Sequence, residues 1–400
     1  MTAAAGLAIT GGTVVAFDPP VVERRDILLG AKPRRALDAS GCLVMPGLAV
    51  AHTHLYSALA CGMPVAPGAP RSFRETLEKV WWRLDAALDE KSLEASAEQS
   101  LLDAALAGVT AVIDHHESPS FIDGSLDVLA RASRSSGIAA ALCYGATDRH
   151  GAKDARAGLA ECERAIRAGL PAMVGLHAGF TVSDETLHAA VDLARRRSAW
   201  LHVHVAEDVC DAGSFARLEK ARALGPKTIL AHGVHLSAEE RARVRDAAAW
   251  IVHNPRSNLQ NAVGYADPKT LGTRVALGTD GMDADLFAEV RAAHLRAREA
   301  YGPAGGIDAV ALLANSGRLA DLALGERPSD WIVLDYDPPT PLAAANLAGH
   351  VLFGMGARHV RDVVANGEVV VRGRKSVRVD AARIRARSRE EAARLWRRMA

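Results

Sequence analysis

Short apolar runs recur along the middle of the chain, each followed by a loop or by a longer stretch with helix-like spacing. Eight such runs lie between residues 48 and 280, at 48–54, 110–115, 138–144, 172–177, 200–205, 228–232, 250–253 and 275–279. Strands that alternate with helices predict a parallel sheet, and eight strands close a (β/α)8 barrel. Ser237 with Glu240 has capping-box spacing, and Gly108 is placed as a helix stop.

Both ends of the chain have a different pattern, rich in valine, isoleucine and turn residues without a helical period. Such segments predict short antiparallel strands. Because each end has too few strands for a stable sheet, we expect the two to combine. The predicted fold class is α/β, a (β/α)8 TIM barrel with a small β-sandwich domain formed by both chain ends. The predicted domains are 1–49 with 325–376 for the β-sandwich, 50–324 for the barrel, and 377–400 for a C-terminal helical tail.

Composition and charge favour work on small molecules. The 400 residues are 49% hydrophobic and 24% charged, enough to bury a large core. Since 48 Lys and Arg nearly balance 47 Asp and Glu, no global field attracts nucleic acid or an acidic membrane. We interpret the arginine-rich C-terminus as a solvated helix face, in preference to a nucleic-acid arm.

Cysteine usage and the N-terminus bear on the compartment. The five cysteines are scattered and include no C-x-x-C pair, which argues against a disulfide framework and against a cysteine zinc site. The N-terminus has no basic segment before an apolar core, and no apolar run approaches the length of a membrane helix. We therefore expect a cytoplasmic protein without a membrane span.

Polar side chains with catalytic or metal-binding chemistry stand at the ends of nearly all the predicted strands. His52 and His54 share a face because strand side chains alternate, so this H-x-H is either a metal signal or a hydrogen-bonded core pair. The other strand ends carry Asp114, His115, His116, His177, His204, His232, His253, Asn254 and Asp280. Barrel enzymes draw catalytic residues from the C-terminal ends of several strands, which favours a shared metal centre.

The segments VMPGLAVAHTH, HVHVAE, ILAHGVH, VHNPRSN and LGTDG follow one another in this order. Together they resemble the amidohydrolase superfamily, in its metal-dependent deaminase and chlorohydrolase branch. Within that branch, HTHLYSALACGM, WWRLD, VIDHHESP and NPRSNLQNAVGYA are most similar to SsnA-type aminohydrolases. The resemblance covers most of the chain.

This resemblance implies a set of metal ligands and of groups that carry protons. The implied ligands are His52, His54, His204 and Asp280. Glu207 and His232, together with Asp280, would be the catalytic groups. Three imidazoles and one carboxylate suit one divalent ion, with Zn²⁺ favoured and Fe²⁺ or Mn²⁺ as alternatives. Relatives with two metals use a carboxylated lysine at strand four, and the segment AMVGLHAGF has none.

His202 competes with His204 for the ligand role, because the two residues share a strand face. The family spacing H-x-x-E matches His204 with Glu207. We therefore interpret His202 as a buried, hydrogen-bonded histidine beside the site.

The expected reaction is hydrolysis of a C–N bond other than a peptide bond. A bound metal lowers the pKa of water toward about 7, and hydroxide then attacks an sp2 carbon. Glu207 could protonate a departing amine, which favours hydrolytic deamination of a purine-like or other nitrogen heterocycle. The alternatives are a cyclic amidohydrolase or a chlorohydrolase in the same site and, from another class, a catalytically silent binding protein.

Substrate contacts are expected from four polar residues around the barrel mouth, His177, His116, Asn254 and Arg256. Ser257 and Asn258 could equally stabilise a turn. Trp81 and Trp82 lie in an amphipathic segment and either pack in the core or form a lid over a planar substrate. The expected partners are a heterocyclic substrate and further copies of the chain, in a homodimer or larger homo-oligomer.

Overall fold

A computed structural model of the protein describes residues 6–30, 33–64 and 68–399. The strands are, in chain order, β1 (Leu7–Thr10), β2 (Thr13–Phe17), β3 (Pro20–Arg24), β4 (Ile27–Leu29), β5 (Arg35–Asp38), β6 (Leu43–Pro46), β7 (Leu48–Thr53), β8 (Val109–Asp114), β9 (Ala139–Ala141), β10 (Gly145–Ala146), β11 (Val174–Ala178), β12 (Leu201–Val205), β13 (Thr228–His232), β14 (Trp250–His253), β15 (Val275–Leu277), β16 (Trp331–Leu334), β17 (Val360–Ala365), β18 (Glu368–Arg372) and β19 (Lys375–Ser376).

The helices alternate with the strands through the middle of the chain. They are α1 (Phe73–Thr76), α2 (Trp82–Ala87), α3 (Glu90–Leu106), α4 (Ser125–Ser136), α5 (Ala152–Arg167), α6 (Asp184–Arg197), α7 (Ser214–Lys220), α8 (Ala238–Asp246), α9 (Pro255–Gln260), α10 (Pro268–Leu271), α11 (Leu286–Tyr301), α12 (Ala309–Leu324), α13 (Leu347–Phe353) and α14 (Ala381–Met399). A π-helical turn, Leu77–Trp81, joins α1 to α2, and a 3-10 helix, Leu55–Ala60, follows β7. Within the described ranges, every helix is too short or too polar to cross a membrane.

Parallel strands β7 to β15 form a closed (β/α)8 barrel. β9 and β10 are two parts of one strand, interrupted between Ala141 and Gly145. Counted in this way, the barrel has eight strands among the described residues. Single parallel bridges, His116 with Tyr144 and Leu142 with Ala172, continue the ladder through this interruption. Another bridge, between Thr53 and Asp280, joins the last strand to the first. The prediction of a parallel α/β barrel is confirmed.

Strands from both ends of the chain meet in a second set of sheets. One sheet has the order β19-β18-β17-β16-β6-β2-β3, in which β16 pairs antiparallel with β6. The other has the order β4-β1-β5. Buried apolar side chains of both sheets, including Ile9, Leu37, Val44 and Val333, form one cluster. The β-sandwich architecture and the domain limits stay predictions.

Local sequence signals account for several helix ends. Ser237 and Glu240 form the reciprocal capping box that begins α8, as predicted. α3 ends at Leu106, and Gly108 follows with a positive φ of 87°, a conformation that glycine adopts without strain. Helix starts and stops of this kind set where each barrel strand begins.

Leu230 tests the packing of the barrel. It is fully buried in β13, two residues before His232. Leu230→Ala should lower the free energy of unfolding by about 2–5 kcal/mol, because it removes buried methyl groups and leaves a cavity. Leu322→Ala, at a position that is 55% exposed, is the control and should change it by less than about 0.5 kcal/mol. Equal shifts of the two urea unfolding midpoints would contradict the barrel packing.

Candidate metal centre and substrate pocket

The first two histidines of the site come from one strand end. His52 lies in β7 and His54 follows the last residue of that strand. Both side chains are buried, and their ring centroids are 4.9 Å apart in an edge-to-face arrangement. The alternation of strand side chains thus brings both imidazoles to the same end of the barrel.

Four residues from three strand ends converge at this point. Nitrogen or oxygen atoms of His52, His54, His204 and Asp280 lie within 4.8 Å of one another. The Oδ1 atom of Asp280 is 2.8 Å from Nε2 of His54 and 3.4 Å from Nε2 of His52. The structure therefore brings together the four residues that the family resemblance implied as ligands.

Hydrogen bonds to backbone carbonyls fix the tautomers of two of these histidines. Nδ1 of His54 donates to the His115 carbonyl at 2.5 Å, and Nδ1 of His204 donates to the His177 carbonyl at 2.5 Å. A carbonyl oxygen can only accept, so each Nδ1 carries the proton. Nε2 is then the ring atom that each histidine can turn to a metal. Burial alone would lower the pKa of His54, but contact with Asp280 raises it to about 9, so Nε2 of His54 must give up a proton when a metal binds.

His202 completes the orientation of His52. Its Nε2 atom lies 3.0 Å from Nδ1 of His52, and its Nδ1 atom lies 3.8 Å from Sγ of Cys143. If His52 donates from Nδ1, its own Nε2 atom is left with a lone pair and has no hydrogen-bond partner among the described residues. His202 thus contacts a ligand candidate from behind, in agreement with the interpretation of the sequence.

The donor set fits a divalent metal. Three imidazole nitrogens and a carboxylate oxygen are ligands typical of zinc and of iron(II). The unpartnered Nε2 atom of His52, fully buried, would be costly without a ligand. Burial also lowers the pKa of His52 to about 4, which keeps this imidazole neutral near pH 7.

Asp280 is held as the ionised member of the cluster. Burial alone would raise the pKa of its carboxyl group, but contacts with His52 and His54 outweigh burial and hold the pKa well below its ordinary value. The hydroxyl of Ser257 donates a short hydrogen bond to Oδ2. One carboxylate oxygen thus faces the histidines while the other is oriented by α9.

His232 and Glu207 also face the cluster. His232 is the last residue of β13, and Glu207 follows β12, the strand that carries His204. Nδ1 of His232 lies 2.9 Å from Oδ1 of Asn258, and Nδ2 of Asn254 lies 3.4 Å from the same nitrogen. Nε2 of His232 has no hydrogen-bond partner among the described residues and is 3.5 Å from Oε2 of Glu207. An imidazole whose Nδ1 donates to Asn258 offers this Nε2 atom as a base.

Glu207 has the opposite electrostatic character to Asp280. Burial and then the nearby Asp280 raise the pKa of Glu207 well above its ordinary value, although a hydrogen bond with Asn261 opposes the shift. A carboxyl group of raised pKa holds a proton that it can donate. The two carboxyl groups are therefore suited to different roles.

A pocket with aromatic walls opens next to the cluster. Its lining includes His54, His204, Glu207 and Asp280. It also includes Phe73, Trp81 and Trp82, which we call the aromatic wall. Trp81 approaches Gly281 so closely that a Cβ atom at Gly281 would lie 3.1 Å from the indole. Both tryptophans are half-buried and line the pocket, so they do more than fill the core.

The four predicted substrate contacts fall in different places. His177 lines the pocket. His116 is fully buried, with Nε2 at 2.7 Å from the hydroxyl of Ser118, and Asn254 is fully buried beside His232. Neither residue is part of the pocket lining.

Arg256 departs most clearly from its predicted place. Its Nε atom donates to Glu289 at 2.7 Å, and Nη1 donates to Asp283 at 2.8 Å. Arg256 also lies outside the pocket lining. Ion pairing with carboxylates near and on α11 satisfies the guanidinium there, and the structure does not bring it to a substrate.

Sequence reasoning missed a charged group that borders the pocket. Arg149 bonds to Asp85 at 2.9 Å, makes a short ion pair with Glu117, and lies with its guanidinium carbon 4.6 Å from the Trp82 ring centre. Burial raises the pKa of Glu117 to about 8 despite the arginine. Asp85 and Glu117 line the pocket. Their positions inside WWRLD and VIDHHESP were a signal, since both motifs carried the resemblance.

Comparisons with known proteins agree with this fold. The amidohydrolase family model matches residues 43–316. A 5-methylthioadenosine/S-adenosylhomocysteine deaminase of Halobacterium salinarum is 29% identical, covering 97% of this chain and 98% of its own length. An 8-oxoguanine deaminase of Pseudomonas aeruginosa is 30% identical, covering 90% of this chain and 92% of its own length.

A solved structure of similar fold extends the comparison. It is an adenosine deaminase from Xanthomonas campestris with bound zinc, with a TM-score of 0.82 and 22% identity, covering 97% of this chain and 98% of its own. At this identity the likeness supports the barrel fold alone. The family model spans more than half of the chain, and the protein therefore belongs to the amidohydrolase family.

Proposed function

We propose that the protein is a metal-dependent hydrolase that deaminates a purine-like or other nitrogen heterocycle. One observation carries the proposal: four metal-type donors, an unpartnered imidazole nitrogen of His232 and the carboxyl group of Glu207 meet in one cluster. Three of the donors, His54, His204 and Asp280, line an aromatic pocket together with Glu207. A hydrolase needs these groups together, because the water that attacks a carbon must lose a proton and the nitrogen that leaves the same carbon must gain one.

We assign the metal ligands to His52, His54, His204 and Asp280. Bound there, a divalent ion would polarise the reacting bond and lower the pKa of a water toward about 7. Zn²⁺ is the favoured ion, and Fe²⁺ or Mn²⁺ also suits the donor set. A single ion is expected, since the segment 172–180 has no lysine to bridge a second.

His232 and Asp280 would orient the attacking water and remove its proton. The Nε2 atom of His232 is free to accept, and Asp280 is ionised. Glu207 would pass a proton to the departing nitrogen, which leaves as ammonia while the carbon gains an oxygen. A departing chloride needs no acid, so the raised pKa of Glu207 favours deamination over dechlorination.

The pocket suits a planar ring that presents a hydrogen-bond donor. The Thr181 hydroxyl donates to the Ala178 carbonyl at 3.0 Å, so Nδ1 of His177 must donate to the Thr181 oxygen, 2.7 Å away. Nε2 of His177 is then an acceptor for a ring N–H. The aromatic wall would stack on the ring. The names of the two relatives, which refer to adenosine derivatives and 8-oxoguanine, support a purine-like substrate.

The domain limits 1–49 with 325–376, 50–324 and 377–400 belong to the same proposal. Pairing of β16 with β6 supports a domain built from both chain ends, and α14 supports the helical tail. Assembly into a homodimer or larger homo-oligomer, and a cytoplasmic location, stay predictions.

Ammonia release from metal-quantified protein tests the reaction. Aminopurines, purine nucleosides, pterins, pyrimidines and triazines are the candidate substrates, and Asp280→Asn is the control. We expect ammonia from one class of compound and its loss in the variant. A ring-opened acid or chloride without ammonia would support the cyclic amidohydrolase or the chlorohydrolase. Metal binding and ligand binding without any product would support the silent binding protein.

Glu207→Gln tests the proton carrier. The change keeps the size of the side chain but removes the transferable proton, so turnover should fall about 10²- to 10⁴-fold. Metal content should stay the same, because Glu207 is outside the proposed ligand set. Glu185→Gln, on the exposed side of α6, is the control. Unchanged turnover in Glu207→Gln would remove this residue from the mechanism.

His202→Ala tests the orientation of His52. Removing a partner of a ligating imidazole should weaken metal affinity about 10- to 100-fold, measured by competition with a chelator. His202→Gln should recover part of the affinity, because its amide oxygen can accept the same hydrogen bond. His188→Ala, an exposed histidine of α6, should have no effect. Equal affinity in all variants would contradict the assigned role.

A further inference from the structure

We propose that α14 holds the aromatic wall in position for the substrate, with Trp396 and Arg398 as its positioning residues. The inference concerns the arginine-rich C-terminus, which the catalytic proposal leaves without a role. The effect of α14 on substrate binding rests on the proposed function. The attachment of the aromatic wall through Trp396 and Arg398, which we call the tether, is a property of the fold and can be measured without a substrate.

The wall belongs to an excursion from the barrel. The chain leaves β7 and forms the 3-10 helix Leu55–Ala60, and the described residues 68–89, which include α1 and α2, precede α3. Phe73, Trp81 and Trp82 lie between these two points. Such a segment can be positioned by fixing both of its ends, which reduces the number of conformations that must be lost on binding.

Trp396 fixes the first end. Its indole Nε1 donates to the carbonyl of Leu59 at 2.9 Å, inside the 3-10 helix that follows His54. Leu59 and the neighbouring Leu395 are buried. The contact therefore connects α14 to the stretch of chain that begins directly after a proposed metal ligand.

Arg398 fixes the second end, at the junction of α2 and α3. Its Nε atom donates to the carbonyl of Ala87 at 2.8 Å. Its Nη2 atom donates to Ser92 at 3.1 Å, and its Nη1 atom is 3.2 Å from Asp89. Asp89 and Ser92 form the capping box of α3, so one guanidinium binds the last turn of α2 and the first turn of α3 together.

α14 is itself anchored on the barrel. Arg387 makes a short ion pair with Glu94 and a 3.1 Å contact with Glu98, both on α3. Ile384 and Leu395 are buried beneath the helix. These ion pairs are half-buried and still open to solvent, so they contribute little, and the apolar contact provides most of the attachment. Four arginines of α14 pair with carboxylates of the same chain, which argues against a nucleic-acid arm; they are Arg383, Arg387, Arg394 and Arg398.

Other contacts hold the wall as well, which sets the size of the expected effect. The Ser120 hydroxyl donates to the carbonyl of Ala86 at 2.7 Å, and Arg149 packs on Trp82. Loss of one α14 contact should therefore loosen the wall without unfolding it. Substrate binding should weaken while the metal ligands and the catalytic groups stay in place.

The test compares Trp396→Phe and Arg398→Met with two matched controls. Trp331→Phe removes an indole bond of the same type, from Trp331 to the Pro328 carbonyl at 3.0 Å, on β16. Arg394→Met removes an arginine that pairs with glutamates of α14 itself. Amide hydrogen exchange over residues 73–87, metal content, KM and kcat are measured for each protein.

We expect faster exchange over residues 73–87 in both test variants, with unchanged metal content and kcat nearly constant. KM should rise about three- to tenfold in Trp396→Phe, which loses one hydrogen bond, and at least as much in Arg398→Met, which loses two. The controls should match the unaltered protein. Exchange unchanged in the test variants would overturn the tether. Faster exchange with KM unchanged would overturn its role in binding. If no substrate is found at all, the deaminase proposal fails while the exchange result still decides the tether.

Discussion

Closure of the barrel between its first and last strands is the constraint on which the site depends. The amides of Thr279 and Asp280 donate to the His52 carbonyl at 2.8 and 3.1 Å, and the amide of His54 donates to the Asp280 carbonyl at 3.2 Å. Residues separated by more than two hundred positions thereby share one ligand cluster. Gly278 permits this contact, since a Cβ atom there would lie 2.8 Å from the backbone of His52.

The electrostatics of the site follow from burial combined with partners. Burial lowers the pKa of His52 and that of His232, so these imidazoles are neutral and can accept. Burial acts on both carboxyl groups. Contacts with His52 and His54 outweigh it and make Asp280 more acidic, whereas burial and the nearby Asp280 outweigh the hydrogen bond with Asn261 and make Glu207 less acidic. One fold thus holds a carboxyl group of lowered pKa and one of raised pKa within 4.8 Å of each other.

Local periodicity predicted much of this arrangement. Alternation in β7 places His52 with His54, and the strand-end rule of barrels collects His204, His232 and Asp280. Alternation could not separate His202 from His204, because both have the same parity. The family spacing to Glu207 made that choice. The structure places Nε2 of His202 at 3.0 Å from Nδ1 of His52, beside the cluster and outside the group of four donors.

Contacts between distant segments could not be predicted in this way. Arg256 follows a strand as a substrate contact would, but Glu289, on a later helix, pairs with it. Arg149 meets Asp85 and Glu117 only because three segments far apart in sequence converge. The arginines of α14 have a regular helical pattern whose partners on α3 are nearly three hundred residues away in sequence. No periodicity within a segment encodes such pairs.

X-ray absorption at the zinc edge, on protein loaded with zinc and quantified, tests the ligand assignment most directly. One ion per chain is predicted, with three imidazole nitrogens at about 2.0–2.1 Å and carboxylate or water oxygen completing the shell. Two ions per chain, or a sulfur ligand from the nearby Cys143, would contradict the assignment to His52, His54, His204 and Asp280.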